Sequence, residues 1–358
     1  MTPPDLDAAP EMLAAEHDVV RSRAPLRISF CGGGTDVPPY PERYGGCVLS
    51  STIDKYAYVS IRPYADQKIR VYSEDTGVEA TFDAHGGEAL NGKLDLAQAI
   101  FRRFRATAVD CFMHNDAPPG SGLGSSSAMI VALITALARE RGAQLTPYQV
   151  AEFAYAVERE DLRIVGGLQD QYASAFGGFN FIEFSADGVL VTPLRITDDA
   201  VAELHYHLVL CFTGKTRLSS NIVAEQTARV VASEQTIVDN LGKTKALTVA
   251  MKRELLKGRL LDFGALLDEA WALKRTLATN VSNAAIEELY AAAKSAGAIG
   301  GKILGAGGGG YLLFFTPFNR RARVRERLEQ LGGRVVDFQF DQQGARSWCV
   351  PRELWADA

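Results

Sequence analysis

Residues 118–128 read Pro-Pro-Gly-Ser-Gly-Leu-Gly-Ser-Ser-Ser-Ala; a strand-like stretch at 109–115 leads into them and an apolar run at 126–140 leads out. Strand, glycine and serine loop, then buried helix is a layout that aims backbone N–H groups at an anion on a helix N-terminus. Glycines at 120, 122 and 124 let the backbone approach a phosphate with no Cβ in the way. A serine at the helix start can also offer its hydroxyl to Mg2+. The competing reading is a flexible turn with an ordinary serine cap.

Working outward, segments 24–31, 47–61, 68–73 and 78–82 have the β-branched and aromatic content of strands, with Gly and Pro between them. The run 126–140 is apolar on nearly every face, as in a buried helix, and Gly142 is placed to end it. Thr146, Pro147 and Gln149 supply an N-cap, a proline at the first helical position and a capping-box partner for a second helix. Residues 179–184 read as a strand before a turn at Asp187-Gly188, and the prolines and acids of 193–203 as a boundary. Beyond it come a strand at 206–212, helical sequence from about 220 to 296, a strand at 310–315, an Arg-rich helix at 319–331 and a strand at 334–340. Strands and helices mix without a regular βαβ repeat, so the expected class is α+β. The expected division is an acidic tail over 1–20, an N-terminal domain over 21–195 and a C-terminal domain over 196–358.

Composition excludes several classes. The chain has 358 residues, 47% hydrophobic and 23% charged, enough for two domains with a sizeable core. It contains no apolar run long enough to span a bilayer and no secretory leader pattern. Five scattered cysteines without CxxC spacing argue against a disulfide framework or structural zinc and point to a reducing cytoplasm. The net charge of −5 comes from Asp5, Asp7, Glu11, Glu16 and Asp18; beyond them, bases and acids balance. A neutral body has no footprint for nucleic acid or an anionic membrane. The arginines at 320, 321, 323, 325 and 327 read as an exposed helix face.

Two further glycine clusters stand out. Residues 24–36 (APLRISFCGGGTD) run from a strand into Gly32, Gly33 and Gly34, then Thr35 and Asp36. That arrangement suits either the floor of a small-molecule site or a tight turn capped by Thr and Asp. Residues 302–310 (KILGAGGGG) are too rich in glycine for plain packing, and favour close backbone approach to a ligand or another loop. Two better-known phosphate motifs fail on context. Gly214-Lys215-Thr216 lacks its upstream glycine, since position 209 is Val209, and the GxGxxG at Gly305, Gly307 and Gly310 is followed by the apolar strand YLLFF where that fingerprint needs a helix.

The three motifs APLRISFCGGGTD, PPGSGLGSSSAM and KILGAGGGGYLL, in this order and joined by Gly167-Leu168-Gln169-Asp170-Gln171, resemble the kinase superfamily of galactokinase, homoserine kinase, mevalonate kinase and phosphomevalonate kinase. The resemblance runs from about Ser22 to near the C-terminus. Within the superfamily, GGGTDVPPYPERYGG and QDQYASAFGGFNFIEF look most like the D-glycero-D-manno-heptose 7-phosphate kinases, with fucose-type kinases the nearest competitor. The resemblance implies a two-domain fold, with a ribosomal S5 domain 2-like N-terminal domain and a ferredoxin-like C-terminal one. It implies ATP and Mg2+ as cofactors, a small sugar or sugar phosphate as partner, and transfer to an anomeric hydroxyl.

It also implies roles. Asp170 falls on the catalytic aspartate and Arg27 on the basic residue of the first motif. Ser126 and Glu158 fall on the metal ligands. Gly120, Ser121, Gly122, Leu123, Gly124, Ser125 and Ser126 fall on the ATP-phosphate loop; Gly33, Gly34, Thr35, Asp36, Gly307 and Gly308 fall around the substrate. Galactokinase has a Glu-His pair where this chain has Gly33-Gly34, so galactose loses two grips and a bulkier sugar gains room. A sugar phosphate needs cations, and the candidates are Lys215, Arg217, Lys274 and Lys302. A catalytically silent sugar and ATP sensor is the alternative of another class, and the oligomeric state is left open. Cys31 reads as a small buried hydrophobe.

Overall fold

The computed structural model describes residues 19–83, 94–216 and 220–351. The chain opens with β1 (Val19–Cys31), a short α1 (Tyr40–Tyr44) and the long β2 (Gly46–Pro63), followed by β3 (Ile69–Ser73), β4 (Val78–Phe82), α2 (Asp95–Arg103) and β5 (Val109–Asn115). Then come α3 (Ser125–Glu140), α4 (Pro147–Ala156), a π-helical turn over Val157–Asp161, α5 (Gln169–Phe176), β6 (Phe179–Ser185) and β7 (Gly188–Pro193). These strands form one sheet. β2 carries it: its first half pairs with β6 and its second half with β5, while β1 runs antiparallel along its other edge. Only the β3–β5 contact is parallel among the described pairings.

The second half contains α6 (Asp198–His207), β8 (Leu208–Phe212), α7 (Ser220–Val231), α8 (Gln235–Leu256), α9 (Leu260–Lys274), α10 (Ala284–Ala296), β9 (Gly300–Ile303), β10 (Tyr311–Phe315), α11 (Arg321–Gln330) and β11 (Arg334–Val336). Its sheet has the order β11-β8-β10-β9, all antiparallel. Counted within this half, strand, helices, two strands, helix and strand in the order 4-1-3-2 are the ferredoxin-like arrangement. The final β12 (Arg346–Val350) crosses back and pairs with β1, Val350 opposite Val19.

Local sequence explains most of this. α3 is buried on nearly every side because it packs on β1 and β2 below and against α2, α4 and α5 around it. At α4, the Thr146 Oγ1 accepts the Gln149 N–H at 3.3 Å and the Gln149 side chain accepts the Thr146 N–H at 2.9 Å, completing the expected capping box. Three expectations change. The boundary at 193–203 contains α6, which Thr197 caps and Asp198 and Asp199 favour in its first turn, so the following strand begins at Leu208. The strand expected over 334–340 ends at Val336; Phe338 and Phe340 turn instead into an aromatic cluster with His205 and Phe179. The tail over 1–20 lies outside the described residues up to position 18, and Val19 and Val20 already belong to β1.

Candidate active site

Along β1, Leu26, Ile28 and Phe30 enter the core, and strand alternation sends Arg27 and Ser29 to the opposite face. Arg27 is nearly inaccessible, yet it faces Asp170 on the first turn of α5. Its Nε donates to Asp170 Oδ1 at 2.9 Å and its Nη2 lies 2.7 Å from the same oxygen. Its Nη1 donates to the Gly122 carbonyl at 2.6 Å, and its backbone N–H to the Leu123 carbonyl at 3.0 Å. One arginine thus fixes both the aspartate and the glycine loop.

Gly120, Gly122 and Gly124 all have positive φ, and no side chain caps the α3 N-terminus that follows Gly124. Gly124 also lies under the aspartate: a Cβ there would stand 3.3 Å from Asp170 Cγ. The third glycine cluster packs backbone to backbone on this loop. A Cβ on Gly305 would meet Gly122 Cα at 2.5 Å, and one on Gly310 would meet the Ser121 carbonyl at 2.1 Å. Close approach to another loop accounts for those glycines.

A cleft of about 580 Å³ runs between the halves. Arg27, Asp170, Gly33, Gly34, Asp36, Gly120, Gly122, Gly124, Ser125, Ser126, Glu158 and Gly307 line it, together with the apolar Ile164, Val165, Ile222 and Val223. Four expected contacts lie elsewhere. Ser121 and Leu123 are buried beneath the loop, because Leu123 anchors it in the core and the Ser121 carbonyl accepts the Tyr311 N–H at 3.1 Å. Thr35 is fully buried, its hydroxyl engaged with the Gly32 and Cys47 carbonyls and the Cys47 N–H, so it ties the turn to β2. Gly308 is held by the Val281 carbonyl and Asn283, and Gly309 faces the cleft in its place.

The carboxylates are sharply differentiated. Asp36 is buried, and its oxygens accept the Gly34 N–H at 2.9 Å and the Gln169 N–H and Nε2–H at 3.1 and 3.0 Å. Burial pushes its carboxyl above the usual range against those bonds, and the charge of Asp170 adds to the rise. Glu158, on the π-helical turn, is also buried and raised by burial, with Arg159 opposing. Its partners are the Ser127 hydroxyl, at 2.9 and 3.1 Å, and the Gln171 amide. The exposed Ser126 lines the cleft beside them, so the serine bonded to Glu158 is one residue beyond the one the motif suggests. Among the described residues no cluster of three or more His, Cys, Asp or Glu side chains is set for a metal, and no helix is long and apolar enough to cross a membrane.

Gln169 and Gln171 escaped sequence reasoning, although their position on either side of Asp170 was the available signal. Of the candidate cations, Lys215 is exposed and Arg217 lies outside the described residues. Lys274 lines the cleft, and Lys302 is buried with its Nζ donating to the Ser29 carbonyl at 2.7 Å. Cys31 is buried and its thiol raised by burial, as expected of a core residue.

Comparison with known proteins agrees with this geometry. The family model for the GHMP kinases N terminal domain matches residues 93–178, and that for GHMP kinases C terminal matches residues 251–333. The D-glycero-alpha-D-manno-heptose 7-phosphate kinase of Campylobacter jejuni is 36% identical over 92% of this chain and 99% of its own length. The L-fucokinase/L-fucose-1-P guanylyltransferase of Bacteroides fragilis is 27% identical over 89% of this chain but 37% of its own. The crystal structure of a D-glycero-D-manno-heptose 1-phosphate kinase from Bacteroides thetaiotaomicron superposes with a TM-score of 0.77 at 34% identity, covering 93% of this chain and 99% of that one. A chain with these three motifs converging on one cleft, and with full-length relatives above 30% identity, belongs to the GHMP kinases, a family of ATP-dependent phosphotransferases.

Proposed function

We propose that this protein phosphorylates the anomeric hydroxyl of D-glycero-D-manno-heptose 7-phosphate in the cytoplasm, giving the 1,7-bisphosphate, with residues 21–195 together with the returning strand β12 as one working half and the rest of 196–358 as the other. The observation that carries the chemistry is the Arg27–Asp170 pair beside the uncapped N-terminus of α3. The similarity to the Campylobacter jejuni enzyme supports the sugar.

In this reading the N–H groups of the loop around Gly122 and Gly124 and of the first turn of α3 hold the ATP phosphates, aided by the helix dipole. Asp170 takes the proton of the sugar hydroxyl. The oxygen bonds to the γ-phosphorus as the bond from that phosphorus to the bridging oxygen breaks, and ADP leaves. Arg27 fixes the carboxylate and steadies negative charge on the reacting oxygens, a task suited to a guanidinium that keeps its proton. Positioning and charge neutralisation supply most of the acceleration in such transfers.

Glu158 and the Ser126 and Ser127 hydroxyls fit Mg2+. They are hard oxygen donors that line the same cleft, and burial makes the Glu158 charge costly until a cation joins it. Mg2+ held there would neutralise charge on the phosphate oxygens. The test is 31P NMR of the product from ATP, Mg2+ and the heptose 7-phosphate. A new resonance coupled to the anomeric proton is expected; phosphorylation at any other hydroxyl would overturn the regiochemistry.

A further inference from the structure

Lys274 ends α9 at the cleft wall, and Lys302 lies on β9, 5% exposed. Both also line a small recess of about 20 Å³, with Ser29, Cys31, Gly33 and Gln169. Gly33, Gln169, Lys274, Leu277 and Gly305 belong to both walls, so the recess opens off the cleft beside Asp36. On its own it holds about one water-sized group.

Two ammonium groups crowded into such a place are costly unless something negative joins them. Burial pulls Lys274 down to about 8, with Asp36 opposing and Arg27 adding to the fall. Burial pulls Lys302 well below the ordinary lysine range, and Lys274 adds to that fall. The Asp36 charge offsets only part of this at Lys274, whose value stays lowered. The Ser29 hydroxyl is buried in the same recess without a hydrogen-bond partner among the described residues. Gly33 keeps the space open. A Cβ there would point between Gln169 Nε2, at 3.4 Å, and Ser29 Oγ, at 3.9 Å.

We propose that this recess is the subsite for a phosphoryl group already carried by the acceptor sugar, with Lys274 in direct contact and Lys302 and Ser29 behind it. The inference rests on the sugar-kinase reading and deepens it, because it names the residues that select the phosphorylated sugar over the free one. A dianion at the mouth of the recess would favour both charged ammoniums and give the Ser29 hydroxyl an acceptor. Gly33 and Gly34 supply the room at this end of the cleft, while Arg27 and Asp170 take the hydroxyl end.

The test compares kcat/KM for heptose 7-phosphate with that for the same heptose lacking phosphate, using the full chain with ATP and Mg2+. The wild type is expected to favour the phosphorylated sugar strongly. K274M should cut that preference by about 30-fold or more, the usual consequence of losing a charged contact in a desolvated site. K274R should recover part of it. S29A, a small truncation that spares the fold, should cut it about 3- to 10-fold, the worth of one hydrogen bond. A preference unchanged in both K274M and S29A would overturn the subsite. So would equal use of both sugars by the wild type, and in each case the kinase reading stands. A wild type that phosphorylates neither sugar removes both.

Discussion

Replacing Asp170 by Asn changes one oxygen to NH2 without altering shape. Asp170 and Arg27 are bonded at 2.9 and 2.7 Å, with side-chain exposures of 27% and 3%, so the pair is largely shielded from solvent. An asparagine can still accept from Arg27 Nε through its remaining oxygen, and the fold should lose only about 1–2 kcal/mol, the charge-assisted part of the bond. Chemistry should suffer far more. A positioned general base contributes about 10²- to 10⁴-fold, so kcat should fall by that factor, equivalent to roughly 3–5 kcal/mol of barrier. ADP release by a coupled assay gives kcat, and calorimetric titration with ATP gives nucleotide affinity, which should stay within a few-fold. Turnover within threefold of wild type would refute the assignment of Asp170. Lost ATP binding would show instead that the loop, which Arg27 also holds, had collapsed.

Other consequences follow from the same contacts. The folded-state value of Glu158 lies above its unfolded one, so the metal-free protein loses stability as pH rises from the unfolded value through the raised one. Mg2+ should therefore raise the melting temperature more at pH 8 than at pH 5.5. Glu158→Gln should abolish that rise while leaving the metal-free protein at least as stable at pH 8; a Mg2+ effect that survives in the variant counts against the site. Thr35→Val strands the Cys47 N–H in the interior and should cost about 1–3 kcal/mol in urea unfolding. Its KM for the sugar should stay at the wild-type value, and a raised KM with unchanged stability would return Thr35 to the substrate.

Elements with local signatures were legible in the sequence. The capping box at Thr146 and the all-round apolar face of α3 owe little to the rest of the molecule. The three glycine motifs marked the cleft, because glycine is required wherever loops approach at backbone distance, as Gly122 and Gly305 do. What depended on distant partners was not legible. β12 is a short strand whose place follows only from its pairing with β1, and Thr35 reads like a sugar contact until β2 is brought against it. The register at the phosphate loop was similarly hidden. Ser126 and Ser127 are adjacent in sequence, and only the helical turn of α3 decides which hydroxyl meets Glu158. Lys274 and Lys302 lie 28 positions apart, and the packing of α9 against β9 brings them to one recess.

The most direct test is ADP release from ATP and Mg2+ with D-glycero-D-manno-heptose 7-phosphate, with L-fucose and galactose run alongside. Saturable turnover with the heptose phosphate and little with either free sugar is expected. Turnover with fucose or galactose but not with the heptose phosphate would contradict the proposed substrate.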